Sequence, residues 1–246
     1  MRNKIYFLAD LHLGSGTYSE SLSREKRVIA WLSEKQMDAR AFYFLGDIFE
    51  FWFEYTHACP KYFLRFFAKI LELRQQEIEV HFFIGNHDLW MFDYFEKELD
   101  VRVHREPFYL KTQDKTFFLA HGDGLDEKEK GYIGLRKIFV HPFFITLFRF
   151  LGPEIGMRLA FFSSKKSREY GKNEKSPIEK NQGLIDFSEK KLKNETIDYF
   201  IFGHQHAPLK YQLSKNSLYF NTGDWLIDHT YIVWDGTNIS LEKFTE

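Results

Sequence analysis

Lys4-Ile-Tyr-Phe-Leu-Ala-Asp-Leu-His12 is a short apolar run that ends abruptly in a carboxylate and an imidazole one residue apart. Residues Lys4 to Ala9, rich in aromatic and β-branched side chains, read as a buried strand. The same pattern returns four times. Ala41 to Leu45 runs into Gly46-Asp47, Val80 to Ile84 into Gly85-Asn86-His87-Asp88, Thr116 to Ala120 into His121-Gly122-Asp123, and Ile197 to Phe202 into Gly203-His204-Gln205-His206. Helix-length amphipathic stretches, Ser21 to Gln36 and Pro60 to Gln76, separate the first three runs, so the chain begins β-α-β-α-β and belongs to the α/β class. In such sheets, functional groups gather beyond the carboxyl ends of the strands, where residues distant in sequence meet.

After Val101 the pattern changes to hairpins. Phe108 to Thr112 pairs with Thr116 to Ala120. Leu209 to Leu213, Leu218 to Asn221, Tyr231 to Trp234 and Ile239 to Phe244 follow, with turns at Lys215-Asn216 and Asp235-Gly236. Between these regions, about 126–193 is largely helical by spacing and is punctuated by Pro142, Pro153 and Pro177. We read 1–246 as a single domain carrying this segment as a lid-like insertion, without repeats or low-complexity linkers.

Composition narrows the class. The chain has 44% hydrophobic and 28% charged residues, ordinary values, but 19% aromatics led by 28 Phe. A single cysteine, Cys59, excludes an internal disulfide or a thiolate zinc site and suits a reducing compartment. The N-terminus lacks the uninterrupted apolar run of a signal peptide, and no stretch of eighteen apolar residues is present. The net charge of −1 conceals a division: fifteen Lys and Arg against seven Asp and Glu lie between Lys128 and Lys193, leaving the rest strongly acidic. An acidic body suits cations and a basic segment suits an anion, although solvated faces also carry such runs.

The strand-end clusters offer carboxylates, one amide and imidazoles, a donor set that suits Mn²⁺, Fe²⁺ or Zn²⁺ better than Ca²⁺. Five of the ten histidines fall within them, whereas His57, His81, His104, His141 and His229 have no such context and read as ordinary surface or core residues. Each cluster alone is a weak signal. Together, in this order and each at a strand end, they point to a metal site.

Asp10-x-His12, Gly46-Asp47, Gly85-Asn86-His87-Asp88, His121 and Gly203-His204-x-His206 resemble the full signature of the calcineurin-like metallophosphoesterases, from the first strand almost to the end of the chain. The resemblance implies a four-layer α/β/β/α sandwich. It implies that Asp10, His12 and His206 hold one metal, that Asn86, His121 and His204 hold another, and that Asp47 bridges both. It also implies a catalytic set of Asp47, Asn86 and His87, with His87 contacting the phosphate and protonating the leaving group. Asp88 then orients His87, touches substrate or caps the following segment.

The block Ile138-Phe-Val-His-Pro-Phe-Phe-Ile-Thr-Leu-Phe-Arg-Phe-Leu151 reads as a buried helix, an acyl-chain pocket or an interfacial membrane surface. Downstream, Arg158, Ser163, Ser164, Lys165, Lys166 and Arg168 gather donors that suit a diphosphate. A narrower likeness joins these features. Ala9-Asp-Leu-His-Leu13, Gly46-Asp-Ile-Phe-Glu-Phe-Trp52, His121-Gly-Asp-Gly-Leu125 and Lys130-Gly-Tyr132 resemble the UDP-2,3-diacylglucosamine diphosphatases of Gram-negative bacteria. Those enzymes release UMP and 2,3-diacylglucosamine 1-phosphate for lipid A synthesis, with Mn²⁺, as peripheral proteins on the cytoplasmic face of the inner membrane. The likeness implies substrate contacts from Asp88, Tyr132, Arg158, Ser163, Ser164, Lys165 and Lys166. One position departs: the best-described branch has arginine where this chain has His87. The competing readings are a dinuclear-metal phosphodiesterase or phosphatase acting on another nucleotide or on nucleic acid, and a non-catalytic scaffold.

Overall fold

The computed structural model describes residues 2–158 and 175–245. In β1 (Lys4–Leu8), Tyr6 and Leu8 face one way while Ile5 and Phe7 face the other, the period-two alternation of a strand buried on both faces. β1 pairs in parallel with β2 (Ala39–Phe44), which pairs with β3 (Glu79–Phe83), and β3 with β4 (Arg102–His104). On the other side of β1, β10 (Thr230–Trp234) runs antiparallel and is flanked by β11 (Ile239–Lys243). The resulting sheet has the order β11-β10-β1-β2-β3-β4. A second sheet, of order β5-β6-β7-β9-β8, contains β5 (Phe108–Thr112), β6 (Lys115–Leu119), β7 (Tyr199–Phe202), β8 (Leu209–Ser214) and β9 (Ser217–Asn221).

Three apolar clusters stack these elements into four layers. Ile5, Phe7, Tyr43 and Phe83 of the first sheet meet Leu110, Phe117, Ile201 and Phe220 of the second. The outer face of the first sheet packs Tyr6, Phe42, Phe44 and Phe82 against α1 (Tyr18–Lys35), α2 (Leu64–Gln75) and α3 (Tyr94–Leu99). The second sheet's outer face packs Phe118, Phe200 and Tyr219 against Leu184 and Ile185 of α6 (Pro177–Leu192). The abundant phenylalanines are therefore mostly core, and each fully buried one adds roughly 1.5–3 kcal/mol.

Helix boundaries follow local chemistry. Thr17 and Glu20 form a capping box that starts α1 three residues before the expected Ser21, and Ser176 with Glu179 does the same for α6. The expectation that α2 begins at Pro60 is corrected: Phe63 adopts a left-handed conformation (φ 72°), so the helix starts at Leu64. Between β6 and β7 lie α4 (Lys130–Phe139), α5 (Pro142–Phe150) and a helical stretch at 152–158. α5 contradicts the buried-helix reading of the 138–151 block. Phe143, Phe144, Leu147 and Phe150 are exposed, whereas Ile145 and Phe148 are half-buried, the Phe148 ring 4.8 Å from that of Phe53.

Candidate metal centre

The centre lies at the carboxyl ends of β1, β2 and β3 in one sheet and of β6 and β7 in the other. Asp10, His12, Asp47, His204 and His206 have positive φ values, between 44° and 68°. Left-handed backbone at non-glycine residues costs energy and clusters at functional sites, because it turns the chain sharply enough to aim a side chain back over the strand end. Two glycines make room for this packing. A Cβ on Gly85 would stand 2.2 Å from Asp47 Oδ1, and one on Gly46 would stand 2.6 Å from His121 Nδ1.

Ligand-capable atoms converge. Asp10, His12 and His206 form one set of groups within 4.8 Å of one another, Asp10, Asp47 and His121 a second, and His12, Asp47 and His87 a third. Asp47 Oδ2 stands 3.7 Å from His12 Nε2 and 3.5 Å from His121 Nε2, and thus occupies the middle. Asn86 Oδ1 lies 3.2 Å from His121 Nε2 and 3.0 Å from His204 Nδ1. All seven side chains assigned to metal in the sequence reading are brought together.

The outward-facing nitrogen of each histidine is tied down. His12 Nδ1 lies 3.1 Å from Glu50 Oε2, His121 Nδ1 2.7 Å from the Leu45 carbonyl, His206 Nδ1 3.1 Å from Asp224 Oδ2, and His204 Nε2 3.4 Å from Glu129 Oε1. Such contacts fix the tautomer and turn the other nitrogen's lone pair inward, the arrangement characteristic of metal-binding imidazoles. Glu50, Glu129 and Asp224 had no role in the sequence reading. Asp224 was within its reach: Asn221-Thr222-Gly223-Asp224 directly follows β9, a sixth polar cluster at a strand end.

The electrostatics favour added positive charge. Burial raises the Asp47 carboxyl, but His121 and His87 outweigh it and hold the group well below its ordinary value. Burial likewise lowers His12, yet its contacts with Asp10 and Glu50 carry it up to about 9. Burial opposes protonation of His121 too, and Asp47 overcomes it. Protons thus occupy positions that a cation would take. Asp10 Oδ1, fully buried, completes no hydrogen bond and faces His206 Nε2 at 3.3 Å and His12 Nε2 at 3.7 Å, an arrangement that coordination would satisfy. The residues present therefore fit hard or borderline divalent cations.

A family model described as calcineurin-like phosphoesterase matches residues 3–208. The chain belongs to that family. Membership implies divalent metal ions at this centre. This phosphoesterase is 36% identical over 261 aligned positions to UDP-2,3-diacylglucosamine hydrolase of Porphyromonas gingivalis, covering 100% of the chain and 99% of that relative. It is 24% identical to the enzyme of the same name from Yersinia pestis, covering 97% of the chain and 98% of the relative. Among solved structures, a phosphoesterase from E. coli is similar at 16% identity and a TM-score of 0.48, over 98% and 92% of the two chains.

The remaining sequence expectations divide. His87 sits at the centre's edge, its Nδ1 3.0 Å from the Glu50 carbonyl and its Nε2 4.0 Å from Asp47 Oδ2. Asp88 directs its carboxylate to backbone rather than to the His87 ring, whose Nδ1 lies against the Glu50 carbonyl. Completely buried, its carboxylate accepts the N–H groups of Gly85, Asp47, Ile48 and Phe49, lacing the β2 and β3 loops together. The Tyr132 hydroxyl donates to Asp123 Oδ2 at 2.6 Å, beside the His121 loop. Arg158 is exposed and pairs with Glu154 at 3.1 Å. Ser163, Ser164, Lys165, Lys166 and Arg168 lie outside the described residues. Of the five histidines set aside, His81 and His104 hydrogen-bond to each other at 2.9 Å and His141 caps α5, as ordinary structural residues do.

Proposed function

We propose that the chain hydrolyses the pyrophosphate of UDP-2,3-diacylglucosamine, releasing UMP and 2,3-diacylglucosamine 1-phosphate for lipid A synthesis. The observation that carries the chemistry is the convergence of the seven oxygen and nitrogen donors around Asp47. The full-length 36% identity to a hydrolase of that name supports the substrate. We assign Asp10, His12 and His206 to one ion, Asn86, His121 and His204 to the other, and Asp47 to both. Mn²⁺ is the preferred ion, on the mixture of carboxylate, amide and imidazole donors. Two such cations lower the pKa of a bound water and offset charge on the phosphoryl group.

The chain's own groups position and shield. Glu50, Asp224 and Glu129 hold three of the imidazoles in register, and Asp88 holds the loops that carry Asp47 and Asn86. Burial lowers the His87 pKa despite the nearby Asp47 carboxylate. His87 is therefore neutral near pH 7, with its Nδ1 proton directed at the Glu50 carbonyl, and Nε2 is left as an acceptor. This favours a role in orienting water or substrate over donation to the leaving group, which as a phosphate monoester needs little protonation, having a second pKa of about 6.

The segment at about 126–193 is read as the lid-like insertion over the substrate. No helix among the described residues is long and apolar enough to cross a membrane. The exposed phenylalanines of α5 beside Arg149 suit acyl chains and peripheral association with the cytoplasmic face of the inner membrane. Incubating the protein with Mn²⁺ and UDP-2,3-diacylglucosamine tests the reading. UMP should accumulate, and none should form from the Asp47→Ala variant. A wild-type protein that leaves the substrate intact while cleaving simple phosphodiesters would defeat the substrate assignment alone.

A further inference from the structure

A cavity of about 210 Å³ opens beside the metal centre, between α4 and the loop that joins β4 to β5. One wall is the 121–125 loop that carries His121. Another is formed by Phe83 and His104, whose rings stack at 4.5 Å with an interplanar angle of 23°. The α4 wall consists of Ile133, Arg136, Lys137 and Val140, spaced so that they share one helical face. Arg105 stands at the rim.

The opposite side of α4 has different chemistry. There the Phe139 carbonyl accepts from Trp90 Nε1 at 2.9 Å, and the rings of Phe51, Phe53, Trp90 and Phe148 form a continuous aromatic group. α4 therefore lies between an aromatic cluster and a small cavity with flat rings on one side and cationic side chains on the other. A substrate with a lipid half and a nucleotide half presents the same division.

We propose that the cavity between α4 and the β4–β5 loop is the subsite for a pyrimidine nucleoside phosphate. The base lies along the Phe83–His104 wall, and Lys137 and Arg136 face the sugar and its phosphate. A flat aromatic wall receives a base by stacking, and cations at the rim favour its phosphate. Arg136 is held in place by an ion pair from its Nε to Asp123 Oδ2 at 3.3 Å, which anchors it beside the His121 loop. The volume admits a single heterocycle and is too small for two acyl chains. This inference rests on the proposed function in taking UMP as the nucleotide half.

The test uses the full chain with Mn²⁺ and bis(p-nitrophenyl) phosphate as reporter, with UMP, ribose 5-phosphate and inorganic phosphate as inhibitors. UMP should inhibit about tenfold more tightly than ribose 5-phosphate, a difference of about 1.4 kcal/mol assigned to the base. Val140→Trp, at a partly exposed position, fills the cavity. It should abolish that preference while leaving reporter turnover and inhibition by inorganic phosphate unchanged. Lys137→Glu should weaken inhibition by both sugar phosphates. Equal inhibition by UMP and ribose 5-phosphate in the wild type, or a preference that survives both substitutions, overturns the subsite. Failure to release UMP from UDP-2,3-diacylglucosamine, with the UMP preference intact, instead sinks the proposed substrate and retains the nucleotide subsite.

Discussion

Single residues set the centre's tolerance for change. Gly85 is the sharpest case, because an added methyl would lie 2.2 Å from Asp47 Oδ1. Gly85→Ala should displace the Asp47 carboxylate and lower metal occupancy, measured by elemental analysis, together with hydrolysis by about 10²-fold or more. A fully active, metal-loaded variant would contradict the packing. Burial and nearby Arg102 hold His81 down to about 4, and burial with His81 holds His104 to about 4. Both are neutral in the fold and titrate near 6.5 when unfolded, so the unfolded chain binds more protons between those limits. Stability should fall on acidification from pH 6.5 towards 4, by at most about 1.4 kcal/mol per pH unit for each group and less for half-buried His104. His81→Phe should flatten that slope in urea titrations at successive pH values. At this scale the five clusters were legible because each begins within two residues of a strand end. Glu50 and Glu129 were not, since nothing in a lone glutamate announces which imidazole it will reach.

Elements were legible to the extent that their patterns were long. The central strands and the hairpins stand within a few residues of where the sequence placed them. β4, with three residues, and α3, with six, are too short to show a period, and the left-handed Phe63 that delays α2 has no counterpart in hydrophobic spacing. The capping boxes of α1 and α6 were present as Thr17-x-x-Glu20 and Ser176-x-x-Glu179. Ser176→Ala should cost about 1 kcal/mol in chemical denaturation. α5 separates stability from function. Replacing exposed Phe143, Leu147 and Phe150 with serine should leave the melting temperature nearly unchanged and spare small chromogenic phosphodiesters. Turnover of the acylated sugar nucleotide should drop. Equal loss on both substrates would leave α5 a structural role only.

Across the whole molecule, the proposed ligands come from both sheets: Asp10, His12, Asp47 and Asn86 follow strands of the first, and His121, His204 and His206 follow strands of the second. Ions bound there would clamp the two sheets at one end. Mn²⁺ at a hundredfold excess over its dissociation constant should add about 2.7 kcal/mol and raise the thermal midpoint, and chelation should reverse the shift. Asp47→Ala should remain folded but show no such response. The two-sheet, four-layer stacking was implied by the family likeness, the strand pattern alone giving the β-α-β-α-β start and the later hairpins. The side-chain network that fixes each imidazole emerged only with three-dimensional placement. The left-handed ligand positions have a further consequence. Glycine would relax Asp10, His12, Asp47, His204 and His206, each held in a conformation that costs a side-chain-bearing residue of order 1 kcal/mol or more. A laboratory selection that rewarded heat resistance alone, in a medium stripped of divalent ions, would then erode the catalytic apparatus before it touched the hydrophobic interior.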